Sequence, residues 1–356
     1  MLRNLLIAAL GAALAACASA PTEETPAMPD WSIAIHGGAG VITRDNLSPD
    51  QEAAYTAALE TALQAGAQIL EAGGSALDAV EAAVVVMEDD PLFNSGYGAV
   101  MTAAGTHELD ASIMVGDGRD AGAVAGVTTT KNPIRLARAV MEQSEHVMFA
   151  GPGADAFSAA HGLEQVDNSY FTTERRKRAL ERVLESRART AADRHGTVGA
   201  VALDRSGTLA AATSTGGMTA KAPGRVGDSP LIGAATYAQN GVCAVSATGH
   251  GEYFIRVGVA RTICSRIELA GDSLEGAAET ALGEVAALGG DGGVIVMGGD
   301  GEVAFVFNSE GMYRGRAAPE QGAAGGSPGR GRDAGGAALS TVAVDQVVAG
   351  NRRGIG

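Results

Sequence analysis

The chain is short of positive charge, short of cysteine and without a long apolar run, and each shortage removes a class of function. Lys and Arg number 26 against 41 Asp and Glu, a net charge of −15. So acidic a chain repels polyanions, and nucleic acid is not an expected partner. Three cysteines, Cys17, Cys243 and Cys264, are too few for a disulfide framework, and the latter two read as buried free thiols. The apolar run Leu5 to Ala16 falls short of the roughly 20 residues that span a bilayer. The stretch richest in motifs, His195 to Glu252, has no Ser/His/Asp order, no paired acids and no zinc spacing. What is present excludes disorder, since 46% of the 356 residues are hydrophobic and 51 are glycine. That length leaves one or two domains open.

The start of the chain reads as an export signal, with one charge at Arg3, the apolar run to Ala16, then small residues. Leu14-Ala15-Ala16-Cys17 resembles the bacterial lipobox, which predicts a signal peptide over 1–16 and acyl chains on Cys17. Two or three such chains hold a protein on a membrane, so the expected location is the periplasmic face or the outer membrane. The rival is an ordinary signal cut after Ala20, which leaves a soluble periplasmic protein. Residues 17–30, Pro/Glu/Thr-rich from Pro21, read as a tether.

From Trp31 to His36 a short apolar strand runs into Gly37-Gly38-Ala39-Gly40. Helical spacing follows over Asp50 to Leu70 and Ser75 to Glu88, the second opened by Ser75 with Asp78 three residues on. Strands are expected at Glu108 to Val115 and Ala121 to Val127, and a helix at Asn132 to Gln143. The charged stretch Glu174 to Thr190 reads as a solvated helix. Beyond it, strands fit Thr197 to Leu203, Leu209 to Ser214 and Val242 to Ala247. Helices fit Glu252 to Ile267 and Ser273 to Leu288, and a hairpin joins Gly293–Met297 to Val303–Phe307. This alternation predicts layered α/β with helices outside paired sheets. From Gly315 the sequence turns to Gly, Ala, Arg and Pro, so 315–356 reads as a disordered tail.

Chemistry enters at Gly196-Thr197. A threonine hydroxyl is a poor nucleophile without a base beside it, and the nearest base is the residue's own α-amine once the preceding peptide is cut. Glycine before it tolerates the strained backbone such a cut needs, and the β-branch of Thr197 keeps its hydroxyl aimed. By itself Gly-Thr is common in ordinary turns.

Longer motifs make it specific. The chain resembles the plant-type asparaginase and isoaspartyl peptidase family of N-terminal nucleophile hydrolases in His195-Gly-Thr-Val-Gly-Ala-Val201, Thr213-Ser-Thr-Gly-Gly217, Gly224-Arg-Val-Gly-Asp-Ser-Pro230 and Thr248-Gly249. The likeness extends to Ile35-His-Gly-Gly-Ala-Gly40, Gly73-Gly-Ser-Ala-Leu-Asp78, Asn94-Ser-Gly-Tyr-Gly98 and Glu108-Leu-Asp-Ala-Ser-Ile113. It implies a four-layer αββα sandwich over 31–314, cut between Gly196 and Thr197 into an α subunit, 17–196, and a β subunit from 197. The implied reaction is hydrolysis of β-aspartyl dipeptides and L-asparagine to aspartate, in a homo-oligomer taken as a dimer of αβ protomers.

The same resemblance assigns roles. Thr197 is the nucleophile and Thr215 orients it. Arg225 grips the substrate α-carboxylate, a task suited to a planar fork of donors, and Asp228 receives the α-ammonium. Thr248 and Gly249 stabilise the oxyanion. No cofactor is required, although the family's loop over Glu88 to Tyr97 wraps a structural Na+, with Glu88, Phe93 and Ser95 as the candidate positions. Bland readings stand beside these: an exposed Arg225–Asp228 ion pair worth ~0–1 kcal/mol, strand ends at Thr215 and Thr248, a simple turn at Asp90-Pro91, and buried structural roles for His36 and Asn94. His107, Glu108 and Asp110 as metal ligands are disfavoured against polar residues on an alternating strand. Two rival functions remain, a glycosylasparaginase-type amidase and a surface lipoprotein that binds ligands and never cuts itself.

Overall fold

A computed structural model describes residues 30–40, 47–186 and 196–319. The signal segment, Cys17, the tether before Asp30, His195 and the chain beyond residue 319 lie outside the described residues. Two sheets face each other. The larger runs, in spatial order, β11 (Gly311–Ala317), β1 (Ser32–Gly40), β5 (Val198–Leu203), β6 (Leu209–Thr215), β2 (Leu109–Val115), β3 (Ala121–Val127) and β4 (Met148–Ala150). The smaller runs β10 (Val303–Phe307), β9 (Gly292–Gly298), β8 (Cys243–Gly249) and β7 (Thr236–Gln239). Pairing is antiparallel except between β3 and β4.

Helices α1 (Pro49–Glu71), α2 (Ala76–Glu88) and α3 (Pro133–Gln143) cover the outer face of the large sheet, and α7 (Val259–Ala270) and α8 (Leu274–Ala287) cover the small one. The result is the αββα sandwich, with one apolar core under α1–α3 and a second between the sheets and beneath α7 and α8. Local sequence sets the helix starts. Ser48 and Gln51 form a reciprocal capping box for α1, and Ser75 accepts the Asp78 N–H at the head of α2.

Three expectations change. The helix expected over Glu252 to Ile267 is two, α6 (Gly251–Val257) and α7, because Gly258 takes a left-handed φ of +64° and turns its N–H back onto the carbonyls of Phe254 and Ile255. Gly315, Arg316 and Ala317 are not tail but the end of β11, opposite Ile35, Ala34 and Ile33. Backbone pairing with β1 holds them, and their side chains carry no apolar alternation that would mark a strand. Elements that sequence periodicity missed are β4, α4 (Gly151–Ala160), β7 and β11. Of the charged helix expected over Glu174 to Thr190, α5 (Glu174–Ser186) lies among the described residues and buries Ala179, Leu180 and Val183, while the stretch from 187 lies outside them.

Third, Cys243 and Cys264 are not free thiols. Cys243 opens β8, Cys264 lies in α7 packed on that strand, both are fully buried, and their Cα atoms stand 5.7 Å apart in a disulfide. A spacing of 21 residues gave no hint of it. Closing a loop of this size removes unfolded-state entropy worth ~3 kcal/mol. A Cys243→Ala/Cys264→Ala double variant is therefore expected to melt several degrees below wild type in calorimetry, and wild type under reductant should move toward it.

Candidate active site

Alternation along β5 decides where Thr197, the residue just before it, points. Val198, Ala200 and Ala202 pack toward the outer helices, while Val201 and Leu203 join the core between the sheets. Thr197 and Gly199 therefore belong to the inter-sheet face. By the same parity so do His36 on β1, Asp110 and Ser112 on β2, and Thr213 and Thr215 on β6. Strand register then sets His36 opposite Gly199, Gly199 opposite Thr213, and Thr213 opposite Ser112. A polar row thus crosses an otherwise apolar interior.

The peptide before Thr197 is tightly confined. Gly196 has φ +142°, and a Cβ there would lie 2.8 Å from the Asn94 Cβ, so no side chain fits. The Asn94 N–H donates to the Gly196 carbonyl at 3.3 Å, and its side-chain amide donates to the Gly217 carbonyl at 2.7 Å while its Oδ1 accepts the Val100 N–H at 2.8 Å. The buried Thr197 hydroxyl donates to Thr215 Oγ1 at 3.0 Å, and that oxygen also accepts the Gly217 N–H at 3.0 Å. Thr197 and Thr215, eighteen positions apart, are joined directly.

His36 sits behind them. Its Nδ1–H donates to the Thr197 carbonyl at 3.1 Å, and its Nε2 accepts from Ser246 at 2.9 Å. Burial drives its pKa down to about 3, against the opposing pull of the Thr197 carbonyl, so the ring is neutral at any working pH. Ser246 continues the row through Thr213 at 2.7 Å and Thr236 at 2.6 Å to Ser112. Ser112 in turn reaches the Ser229 carbonyl at 2.6 Å, next to Asp228. The unfolded imidazole takes a proton near pH 6.5 that the folded one refuses until about pH 3. This residue's share of stability consequently falls as pH drops through that interval.

Arg225 does not pair with Asp228, the partner expected for a surface ion pair. Its Nε and Nη2 each donate at 2.9 Å to the two oxygens of Glu252. Burial works to raise the Glu252 carboxyl, but hydrogen bonds and charge from Arg225 outweigh it and hold the group below its ordinary range. Asp228 is buried close by. A Cβ at Gly251 would stand 2.8 Å from Asp228 Oδ1 and 3.0 Å from Arg225 Nη2, so the bare backbone there separates the two charged groups. Gly217 links this end to the threonines, since a Cβ on it would meet Arg225 Nη1 at 3.4 Å.

Thr248 and Gly249 end β8, and the Thr248 hydroxyl accepts the Ala39 N–H at 3.3 Å. The preceding Gly38 packs on Gly196, where a Cβ would come within 2.7 Å of its Cα. The Gly37–Gly40 run therefore bridges the Gly196-Thr197 peptide and Thr248. Sequence reading missed Glu252, Lys221 and Ser246; an acid directly after Gly249-His250-Gly251 was the available signal for Glu252. Among the described residues no cluster of His, Cys, Asp or Glu is arranged to hold a metal ion. Both ring nitrogens of His107 are engaged, by the Val100 carbonyl at 3.1 Å and Thr172 at 2.9 Å.

Comparison with known proteins adds the family. The family described as asparaginase matches residues 29–324. An isoaspartyl peptidase of Escherichia coli is 51% identical over 295 residues, covering 79% of this chain and 91% of the relative. One from Salmonella typhimurium is also 51% identical over 295 residues, covering 79% and 93%. An isoaspartyl peptidase/L-asparaginase of Bos taurus is 44% identical over 284 residues, covering 79% and 91%.

Proposed function

The chain belongs to the asparaginase family, and from that premise we propose the steps by which its residues act: an autocleaving threonine hydrolase of β-aspartyl dipeptides and L-asparagine that releases aspartate. The observation that carries the mechanism is the Thr197 hydroxyl, set behind a glycine at φ +142° and hydrogen-bonded to Thr215 at 3.0 Å.

In the first step Thr197 Oγ1 attacks the Gly196 carbonyl carbon, the C–N bond breaks, and the acyl group passes to oxygen as an ester. Water then hydrolyses the ester, leaving a carboxylate on Gly196 and a free amine on Thr197. The Asn94 N–H already donates to the carbonyl oxygen on which charge would grow. In the second step the freed amine takes the hydroxyl proton as Thr197 attacks the side-chain carbonyl of the substrate. It returns that proton to the departing ammonia or amino acid, and water releases aspartate from the resulting ester. Arg225 takes the α-carboxylate and Asp228 the α-ammonium, while Thr248 and Gly249 face the developing oxyanion. Rates on asparagine, a β-aspartyl dipeptide and a glycosylated asparagine, measured side by side, test this reading. We expect turnover of the first two to exceed the third at least tenfold, and the reverse order would favour the glycosylasparaginase alternative.

The chemistry needs no cofactor. A structural Na+ in the Glu88–Tyr97 loop fits the donors there, since main-chain oxygens are hard ligands and Glu88 Oε2 is buried without a hydrogen-bond partner. The carbonyls of Glu88, Phe93 and Ser95 would hold it, and it would stiffen the loop that carries Asn94.

We also read the protein as exported and lipid-anchored through Cys17, and as a dimer of cleaved protomers in solution. A buried disulfide supports export, because such pairs persist in oxidising compartments. No helix among the described residues is long and apolar enough to cross a membrane. Cys17→Ser is accordingly expected to move the protein from the detergent-extractable membrane fraction to the soluble one. Wild type that is already wholly soluble would leave a plain periplasmic signal as the explanation.

A further inference from the structure

Lys221 is among the largest fully buried side chains of the molecule, yet no step above uses it. Its Nζ donates to the Glu108 carbonyl at 2.8 Å and lies 3.9 Å from Asp110 Oδ2. Asp110 is itself fully buried, accepting the Gly126 N–H at 2.8 Å. Burial pulls the lysine below its ordinary range while Asp110 and Glu108 oppose, and burial raises Asp110 while Lys221 opposes. Interiors rarely hold such a pair without a use, because desolvating two charges costs more than most geometries return.

Its position suggests the use. A Cβ on Gly217 would stand 3.1 Å from Lys221 Nζ and 3.4 Å from Arg225 Nη1, so the two cations flank one glycine. That glycine is the one whose N–H reaches Thr215. The Glu108 side chain completes the arrangement by accepting the N–H of Gly224, the residue before Arg225, at 2.8 and 3.1 Å. Strand β2 and the residue before it thus hold the 217–225 loop at its middle, through Lys221, and beside Arg225, through Gly224.

We propose that Lys221, seated on Glu108 and Asp110, is the positioning residue of the carboxylate end of the site, fixing the Gly217 turn against Arg225 and selecting substrates with a free α-carboxylate. This rests on the functional reading above. A unit charge roughly 10 Å from the bound carboxylate, in a medium of effective dielectric near 20 and partly offset by Asp110, alters carboxylate affinity about tenfold.

The test measures kcat and KM for a β-aspartyl dipeptide and for the same compound with its aspartyl α-carboxylate capped as an amide. Wild type that fails to prefer the free acid would overturn the functional reading itself. Given that preference, Lys221→Met is expected to raise KM for the free acid about tenfold, to change kcat less than threefold and to leave the capped substrate unaffected. Self-cleavage of the variant reports that it has folded. Glu108→Gln keeps an acceptor for Gly224 while removing a negative charge, and should lower KM for the free acid about twofold. Equal changes on both substrates in Lys221→Met, or a rise in KM in both variants, would overturn the proposal in favour of simple structural support. Should Lys221→Met fail to fold, the sign of the Glu108→Gln shift decides alone.

Discussion

Purified wild-type protein is expected to run as two polypeptides, with Edman sequencing of the smaller reading Thr-Val-Gly-Ala, whereas Thr197→Ala runs as one chain without turnover. From a 35.6 kDa precursor with Cys17 as its mature start, the pieces are about 18 and 16 kDa before lipid, as activation of a nucleophile by its own α-amine requires. Replacing the hydroxyl removes the attacking atom of both steps, and loss of a nucleophile typically costs ~10⁴-fold or more. Thr197→Ser separates the hydroxyl from the β-branch. It should still cut itself, about tenfold more slowly, because serine has more freedom at χ1 to leave the direction of Thr215. Thr215→Val keeps the shape and removes the oxygen that accepts from both Thr197 and the Gly217 N–H, so cleavage should slow while the fold persists. A fully active enzyme that remains one chain would sink the mechanism, and an inactive wild type that remains one chain would revive a protein that only binds.

Which parts of this site could be read from sequence follows from how each contact is made. Thr197, Thr215 and Arg225 each stand in a short glycine-flanked run, where backbone demands leave a local signature, and Gly217 brings them together in space. Side-chain meetings across long separations leave no such mark. Glu252 reaches Arg225 over 27 residues and Ser246 reaches His36 over 210, and each looks like an ordinary polar residue in its own segment. The polar row behind Thr197 is assembled from β1, β2, β6, β7 and β8, so no single strand displays it. Cys243 and Cys264 were misread for the same reason, their pairing being set by how α7 packs on β8. Strand β11 escaped because a run of glycine and arginine is held by its neighbour's backbone. The layered architecture was easier, since Ala-rich helices and alternating strands announce their own buried faces.

Arg225→Ala should lower kcat/KM on β-aspartyl dipeptides about thirtyfold or more while self-cleavage proceeds at the wild-type rate. The geometry explains why the loss is large and confined to the second step. Glu252 engages Nε and Nη2 on one side of the guanidinium, so the plane is fixed and the Nη1 end is turned toward Gly217 and Gly227. A substrate α-carboxylate then meets a donor pair whose orientation is already settled, and truncating one member of such a charge-assisted pair costs on the order of 2–5 kcal/mol. Thr197, Thr215 and Asn94 are untouched by the change, so the first step keeps its donors. Glu252→Gln should act more mildly, raising KM severalfold with kcat nearly unchanged, since the amide preserves one hydrogen bond but loses the charge that holds the fork. Asp228→Asn should hurt substrates with a free α-amine far more than N-acylated ones, because only the former carry an ammonium. An Arg225→Ala enzyme that cuts itself and hydrolyses β-aspartyl dipeptides at the wild-type rate would show that Arg225 serves only Glu252. The α-carboxylate would then have to be bound elsewhere.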